Sequence, residues 1–194
     1  CNHPRQYHDD GSDIAERSQK LSRLKELATE IISRGERTLI FTQYTSMAEL
    51  IQQHLQTELG ERVLYLHGGT PQQKRDEMVD TFQSPDGPSF FLLSLRAGGT
   101  GLTLTAANHV IHYDRWWNPA VEDQATDRTY RIGQTDDVVV HKLICEGTVG
   151  EAIEQTIEEK RQLADQVLAE GDEWLTELSD DELREMVSLS EVIA

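Results

Sequence analysis

Phe90-Phe-Leu-Leu-Ser-Leu95 is apolar on both faces of an extended chain, and Arg96-Ala-Gly-Gly-Thr-Gly101 follows it at once. A strand of that kind belongs inside a parallel sheet, covered on both sides. Thr38-Leu-Ile-Phe-Thr-Gln43 and Arg62-Val-Leu-Tyr-Leu-His67 precede it with similar length. Asn108-His-Val-Ile-His-Tyr-Asp114 and Val138-Val-Val-His-Lys-Leu-Ile144 come after. The segments between them carry helical signals. Strands alternating with helices predict βα units: an α/β fold with a mostly parallel five- or six-stranded sheet and helices on both faces.

Leu21, Leu24, Leu27, Ala28, Ile31 and Ile32 keep helical spacing, so an amphipathic helix is expected over about 18–34, stopping at Gly35. Ser46 with Glu49 reads as a capping box opening a helix through Leu55. Thr70-Pro71 with Gln73 reads as an N-cap, a first-turn proline and a box partner for a helix reaching Phe82, before the loop Ser84-Pro-Asp-Gly-Pro88. Asn118-Pro119 starts the next helix. Thr148 with Glu151 caps a long one that stops near Gly171, and Ser179 with Glu182 caps a short last one. The expected organisation is a polar linker over 1–17, an α/β lobe over 18–148, and a helical brace with an acidic tail over 149–194.

The net charge is −17, and it is unevenly spread. Residues 146–194 hold 15 acids against Lys160, Arg161 and Arg184, leaving −12 there and −5 on residues 1–145. The near-neutral body can hold a local basic groove, although the overall sign opposes strong DNA binding by this chain alone. Hydrophobic residues make up 37%, and no apolar run approaches the ~18–20 residues of a membrane span. The start, Cys1-Asn-His-Pro-Arg5, reads as a cut inside a longer protein. Two cysteines make no disulfide framework, and Cys1, His3 and His8 match no metal-binding pattern, so no metal site is expected.

Gln124-Ala-Thr-Asp-Arg-Thr-Tyr-Arg-Ile-Gly-Gln134 carries the strongest chemical signal. On a helix, Gln124, Arg128 and Arg131 fall at i, i+4 and i+7, on one face. Guanidiniums stay charged and match phosphate oxygens, and arginines are a known device in phosphoryl transfer. The alternative is a solvated face with an Asp127–Arg131 pair. A P-loop needs Gly-Lys followed by Ser or Thr. Lys20, Lys25, Lys74, Lys142 and Lys160 all lack a preceding glycine, and Asp76-Glu77 reads as a surface pair inside a helix. The chain is therefore not expected to hydrolyse a nucleotide unaided. Ala97 to Thr105 suits close backbone approach to a ligand, or simply a tight turn. Between Trp116 and Trp117, one ring is expected to anchor the core and one to face outward. His67-Gly-Gly-Thr70 with Lys74 and Arg75 reads as an anion site or as a capped helix with solvated bases. His109 and His112 point to opposite faces of one strand and form no metal pair.

Together these pieces resemble the second RecA-like lobe of superfamily-two helicases, specifically that of Swi/Snf-type double-stranded-DNA translocases. Ile40-Phe-Thr-Gln43 resembles motif IV, Ser94 to Thr105 motif V, Asp114-Arg-Trp-Trp-Asn-Pro119 the tryptophan block after it, and Gln124 to Gln134 motif VI. The likeness covers about residues 1–160. It implies that Arg128 and Arg131 are arginine fingers for an ATP site whose P-loop lies on a separate N-terminal lobe, with ATP and Mg²⁺ held mainly there. Gln124, Asp127, Gly99, Gly101 and Thr103 would line that site. Thr42, Gln43, Gly68, Thr70, Arg96, Thr100 and Trp117 would meet DNA. Asp127 departs from the glycine of many helicases, although the Swi/Snf form accepts an acid there. The final Leu-Ser-Asp-Asp-Glu-Leu segment resembles prokaryotic members, which implies a cytoplasmic, nucleoid setting; a eukaryotic parent would be nuclear. The rival readings are an RNA helicase lobe, a non-catalytic binding or regulatory module, and a sugar-nucleotide transferase lobe.

Overall fold

A computed structural model describes residues 3–4, 18–94, 102, 104–116, 119–127, 138–148 and 150–159. The chain divides into two compact units, Cys1–Glu151 and Ala152–Ala194. The expected helix ends near Gly171 and Ser179 lie outside the described residues.

Among the described residues, the first unit holds a five-stranded sheet. Its strands are β1 (Thr38–Thr42), β2 (Val63–Leu66), β3 (Phe90–Ser94), β4 (His109–His112) and β5 (Val139–Lys142), in spatial order β2-β3-β1-β4-β5. All four neighbouring pairs are parallel, with Thr38 level with both Phe90 and His109. The helices are α1 (Gln19–Ser33), α2 (Thr45–Leu59), α3 (Gln72–Gln83) and α4 (Pro119–Thr126). Side chains alternate across a strand, so the sheet has two cores. Ile40, Leu92 and Ile111 face α1 and α2, meeting Leu24, Ala28, Met47 and Ile51. Leu39, Phe41, Phe91, Leu93 and Val110 face the other way, against Phe82 of α3 and Ala125 of α4. The expected α/β class, with a parallel sheet and helices on both faces, is what the chain forms.

The element edges differ from expectation in instructive ways. Ser18 caps α1 by accepting from the Leu21 N–H, and the chain turns at Gly35 (φ 69°). Helix α2 begins before Ser46, with Tyr44 as its N-cap and no side-chain capping bond. The Thr42 hydroxyl accepts from the Tyr44 N–H instead, so the Ser46–Glu49 box does not form the entry. That helix also runs a turn beyond Leu55 to the left-handed Gly60, because Leu59 still packs on the core while its polar neighbours face outward. At α3 the Thr70 hydroxyl accepts from the His67 N–H rather than capping the helix. The Arg75 guanidinium reaches back to the Thr70 and Gly68 carbonyls, which accounts for one of the two bases expected at an anion site. Asp76 and Glu77 are exposed, as expected of a surface pair. Ahead of helix 150–159, Thr148 accepts from the Gly150 N–H and Glu151 from the Gly147 N–H, a reciprocal cap displaced by one residue from the expected box.

The two strand histidines do point apart. His112 stacks on Phe41, whereas His109 donates from Nε2 to Glu36 and meets His141 Nε2 through Nδ1 at 3.1 Å. His141 lies on the neighbouring strand β5, so nothing in the sequence of β4 announces it as a partner.

Phe91 is fully buried, with its ring centroid 5.3 Å from that of Phe82. Phe91→Ala is expected to destabilise the chain by about 3–5 kcal/mol in urea unfolding. Burial, with His109 beside it, holds His141 below its ordinary value of 6.5, and burial lowers His54 in the same direction. The folded chain thus binds these protons more weakly than the unfolded chain. Their contribution is intact above about pH 6.5 and declines as the pH falls below it. The urea midpoint of the wild type should drop between pH 7.5 and 5.5, and less so in a His54→Asn/His141→Asn double variant.

Candidate functional site

Parallel sheets bind ligands beyond the carboxyl ends of their strands. At this edge the chain leaves β1 at Thr42-Gln43, β2 at His67 to Thr70, and β4 at Tyr113 to Trp116. Three of the segments singled out in the sequence therefore share one rim.

A polar joint ties two of them together. The Asp114 carboxylate is buried and accepts from the Thr42 hydroxyl and from the Gln43 N–H. The Gln43 amide donates to the Arg115 carbonyl. Lys20 of α1 donates to the Tyr113 carbonyl at 2.7 Å and sits 5.1 Å from the Tyr113 ring centroid. Burial lowers the Lys20 pKa, opposed by the charge of Asp114. Burial also drives the Tyr113 hydroxyl well above its usual range, so it stays protonated.

A second joint seats α4. Arg115 and Glu122 form an ion pair at 2.5 Å, their side chains 1% and 2% exposed. The other Glu122 oxygen accepts from the Trp116 N–H at 2.9 Å, and Lys142 of β5 approaches to 3.9 Å. One turn on, Thr126 donates to the Glu122 carbonyl and accepts from His112 Nε2. Ala125 enters the core, while Gln124 and Asp127 are exposed. The helix thus has a seated side carrying Glu122, Ala125 and Thr126, and an open side carrying Gln124 and Asp127.

The expected site residues divide accordingly. Gln124 and Asp127 share the open side of α4. Gly68 is exposed in a turn, where an added Cβ would meet open space. Thr42, expected to meet DNA, does not present its hydroxyl outward: it is fully buried and committed to Asp114. Thr70 is likewise buried, its hydroxyl turned back to His67. Gln43 is half-buried, with its amide engaged within the chain. Trp116 packs against the core as the anchoring ring. Arg128, Arg131, Gly99, Gly101, Thr103, Arg96, Thr100 and Trp117 lie outside the described residues. Sequence reasoning gave no roles to Lys20, Asp114, Arg115 or Glu122. The available signal was an adjacent acid and base directly after an apolar strand.

Residues 19–133 match the helicase conserved C-terminal domain family. The chain is 50% identical to "Putative ATP-dependent helicase/translocase YwqA" of Bacillus subtilis, over 98% of its own length and 21% of that protein. It is 42% identical to the human chromatin-remodeling ATPase INO80 over 79% of its length and 10% of that protein. The chain therefore spans between about a tenth and a fifth of the length of these relatives. Among solved structures, the Sulfolobus solfataricus SWI2/SNF2 ATPase C-terminal domain aligns with TM-score 0.68 and 38% identity, over 94% of this chain and 74% of that one. The ATPase core from the same organism in complex with double-stranded DNA aligns at 0.72 and 42%, over 94% and 38%. The shared architecture is RecA-like.

Thr42→Val keeps the side-chain shape and removes one charge-assisted donor from a buried carboxylate. It is expected to destabilise the chain by about 1.5–3 kcal/mol, read from the shift in the urea unfolding midpoint.

Proposed function

The chain belongs to the helicase conserved C-terminal domain family, in its SWI2/SNF2 branch, and from that premise we propose that it is the second motor lobe of an ATP-dependent translocase on double-stranded DNA. The supporting observation is the seating of α4: Glu122 and Thr126 tie it to the exit of β4, Gln124 and Asp127 are exposed, and the sequence continues into Arg128 and Arg131.

No lysine in this chain follows a glycine, so its residues fit the outer half of a nucleotide site rather than the phosphate cradle. ATP with Mg²⁺ would be held chiefly by a P-loop lobe. Arg128 and Arg131 would meet the γ-phosphate with permanent positive charge and neutralise what builds up as water attacks phosphorus and the bond to the β-phosphate oxygen breaks. Gln124 and Asp127, with Gly99, Gly101 and Thr103, would border the cleft. The same charges give closure its driving force: the γ-phosphate draws this lobe in, and hydrolysis releases it.

DNA would be gripped by its backbone, through Gly68, Arg96, Thr100 and Trp117, which gives hold without sequence preference. Thr42 and Thr70 are buried and the Gln43 amide is engaged within the chain, so their part would be to hold the exits of β1 and β2 rather than to present side chains to the duplex. The double-stranded DNA in the Sulfolobus complex favours a duplex partner over RNA. The similarity to a bacterial relative suits a nucleoid setting.

In a protein joining this lobe to its P-loop lobe, Arg131→Ala should lower DNA-stimulated ATP hydrolysis by ~10³-fold or more while leaving duplex affinity in place. Retained hydrolysis would refute the finger assignment. Stronger stimulation by RNA than by duplex DNA would favour an RNA helicase lobe.

A further inference from the structure

A buried ion pair is a poor source of stability, because desolvating two charges consumes most of what their attraction returns. Arg115 and Glu122 are nevertheless both almost fully buried, and Glu122 also fixes a backbone N–H of the loop after β4. What such an arrangement supplies is geometry. Glu122 has one place in which its two oxygens meet Arg115 and the Trp116 N–H together. Its carbonyl then accepts from Thr126, and Thr126 in turn accepts from His112 of β4. The loop after β4, the end of β4 itself and both turns of α4 are locked into one body. Arg128 follows Thr126 by two residues.

We propose that the Arg115–Glu122 pair is a positioning device for the proposed ATP site: it acts through α4 to set where Gln124 stands. Neither residue need touch ATP. The inference rests on the motor-lobe reading. The pair also ends the polar chain that begins at Thr42, since Gln43 holds the Arg115 carbonyl.

The test uses the two-lobe protein for turnover and the 194-residue chain for stability. Glu122→Gln retains an acceptor for the Trp116 N–H but removes the charge that meets Arg115. It should lower kcat of DNA-stimulated ATP hydrolysis by about 10²-fold, with KM for ATP shifted far less. The double variant Arg115→Met/Glu122→Leu removes both charges and should regain much of the urea midpoint lost in Glu122→Gln, because apolar replacement of a buried pair is well tolerated. Its kcat should stay low. If kcat returns together with stability, the pair is only structural and the proposal is overturned. Should the double variant not fold, Glu122→Gln decides alone: normal kcat overturns the proposal, and a low kcat with near-normal KM upholds it. Arg131→Ala separates the two levels. If it abolishes turnover while the Glu122 variants do not lower kcat, only the positioning role fails. If it leaves turnover intact, the finger assignment fails and the positioning role falls with it.

Discussion

Two carboxylates buried at one rim of the sheet tie its strand exits together. Asp114 and Glu122 leave water only because each finds fixed donors: a hydroxyl and an N–H for the first, a guanidinium and an N–H for the second. A buried charge with an incomplete shell is costly, so both shells must close together. Closing them brings the exit from β1, the exit from β4 and the first turn of α4 into a single geometry. The rim of an ordinary α/β sheet thereby becomes a rigid mount.

The hydrophobic cores explain why that mount stays still. Sheet residues alternate between a core under α1 and α2 and another under α3 and α4. Each polar joint is backed by packed side chains: Ala125 and Trp116 on one side, Tyr113 on the other. Close packing resists graded deformation. Helix α4 is therefore held in one arrangement against the rim.

Much of the fold was legible from the chain itself. Runs such as Phe90 to Leu95 are apolar on both faces because both faces are covered, and a half-exposed strand would alternate instead. Helix interiors were equally clear, since Leu21, Leu24, Ala28 and Ile31 mark one stripe. Helix entries were less legible. The Ser46–Glu49 and Thr70–Gln73 spacings are sound capping signals, but the hydroxyls at Thr42 and Thr70 had tertiary or loop partners that the local pattern does not show. The same physics hid half of the site. Thr42 and Gln43 were expected to meet DNA through their resemblance to helicase motif IV, and a motif does not show what its side chains bond. Their commitment to Asp114 and Arg115 spans more than seventy residues of sequence and arises only when β1 and β4 become neighbours. Arg115 and Glu122 are seven apart, one before α4 and one inside it, a spacing that no helical pairing rule covers.

On the motor-lobe reading, fixed positive charge beyond α4 draws this lobe toward a nucleotide held elsewhere. Nucleotide-driven closure, measured by single-pair energy transfer, tests that most directly. One dye would sit on the P-loop lobe and the other at Asp86→Cys, an exposed turn position, with Cys1 and Cys145 replaced by serine. With a non-hydrolysable ATP analogue and Mg²⁺, the distance distribution should shift to a closed population, and that shift should vanish in an Arg128→Ala/Arg131→Ala variant that still binds the analogue. Equal closure with and without the two arginines would contradict the claim.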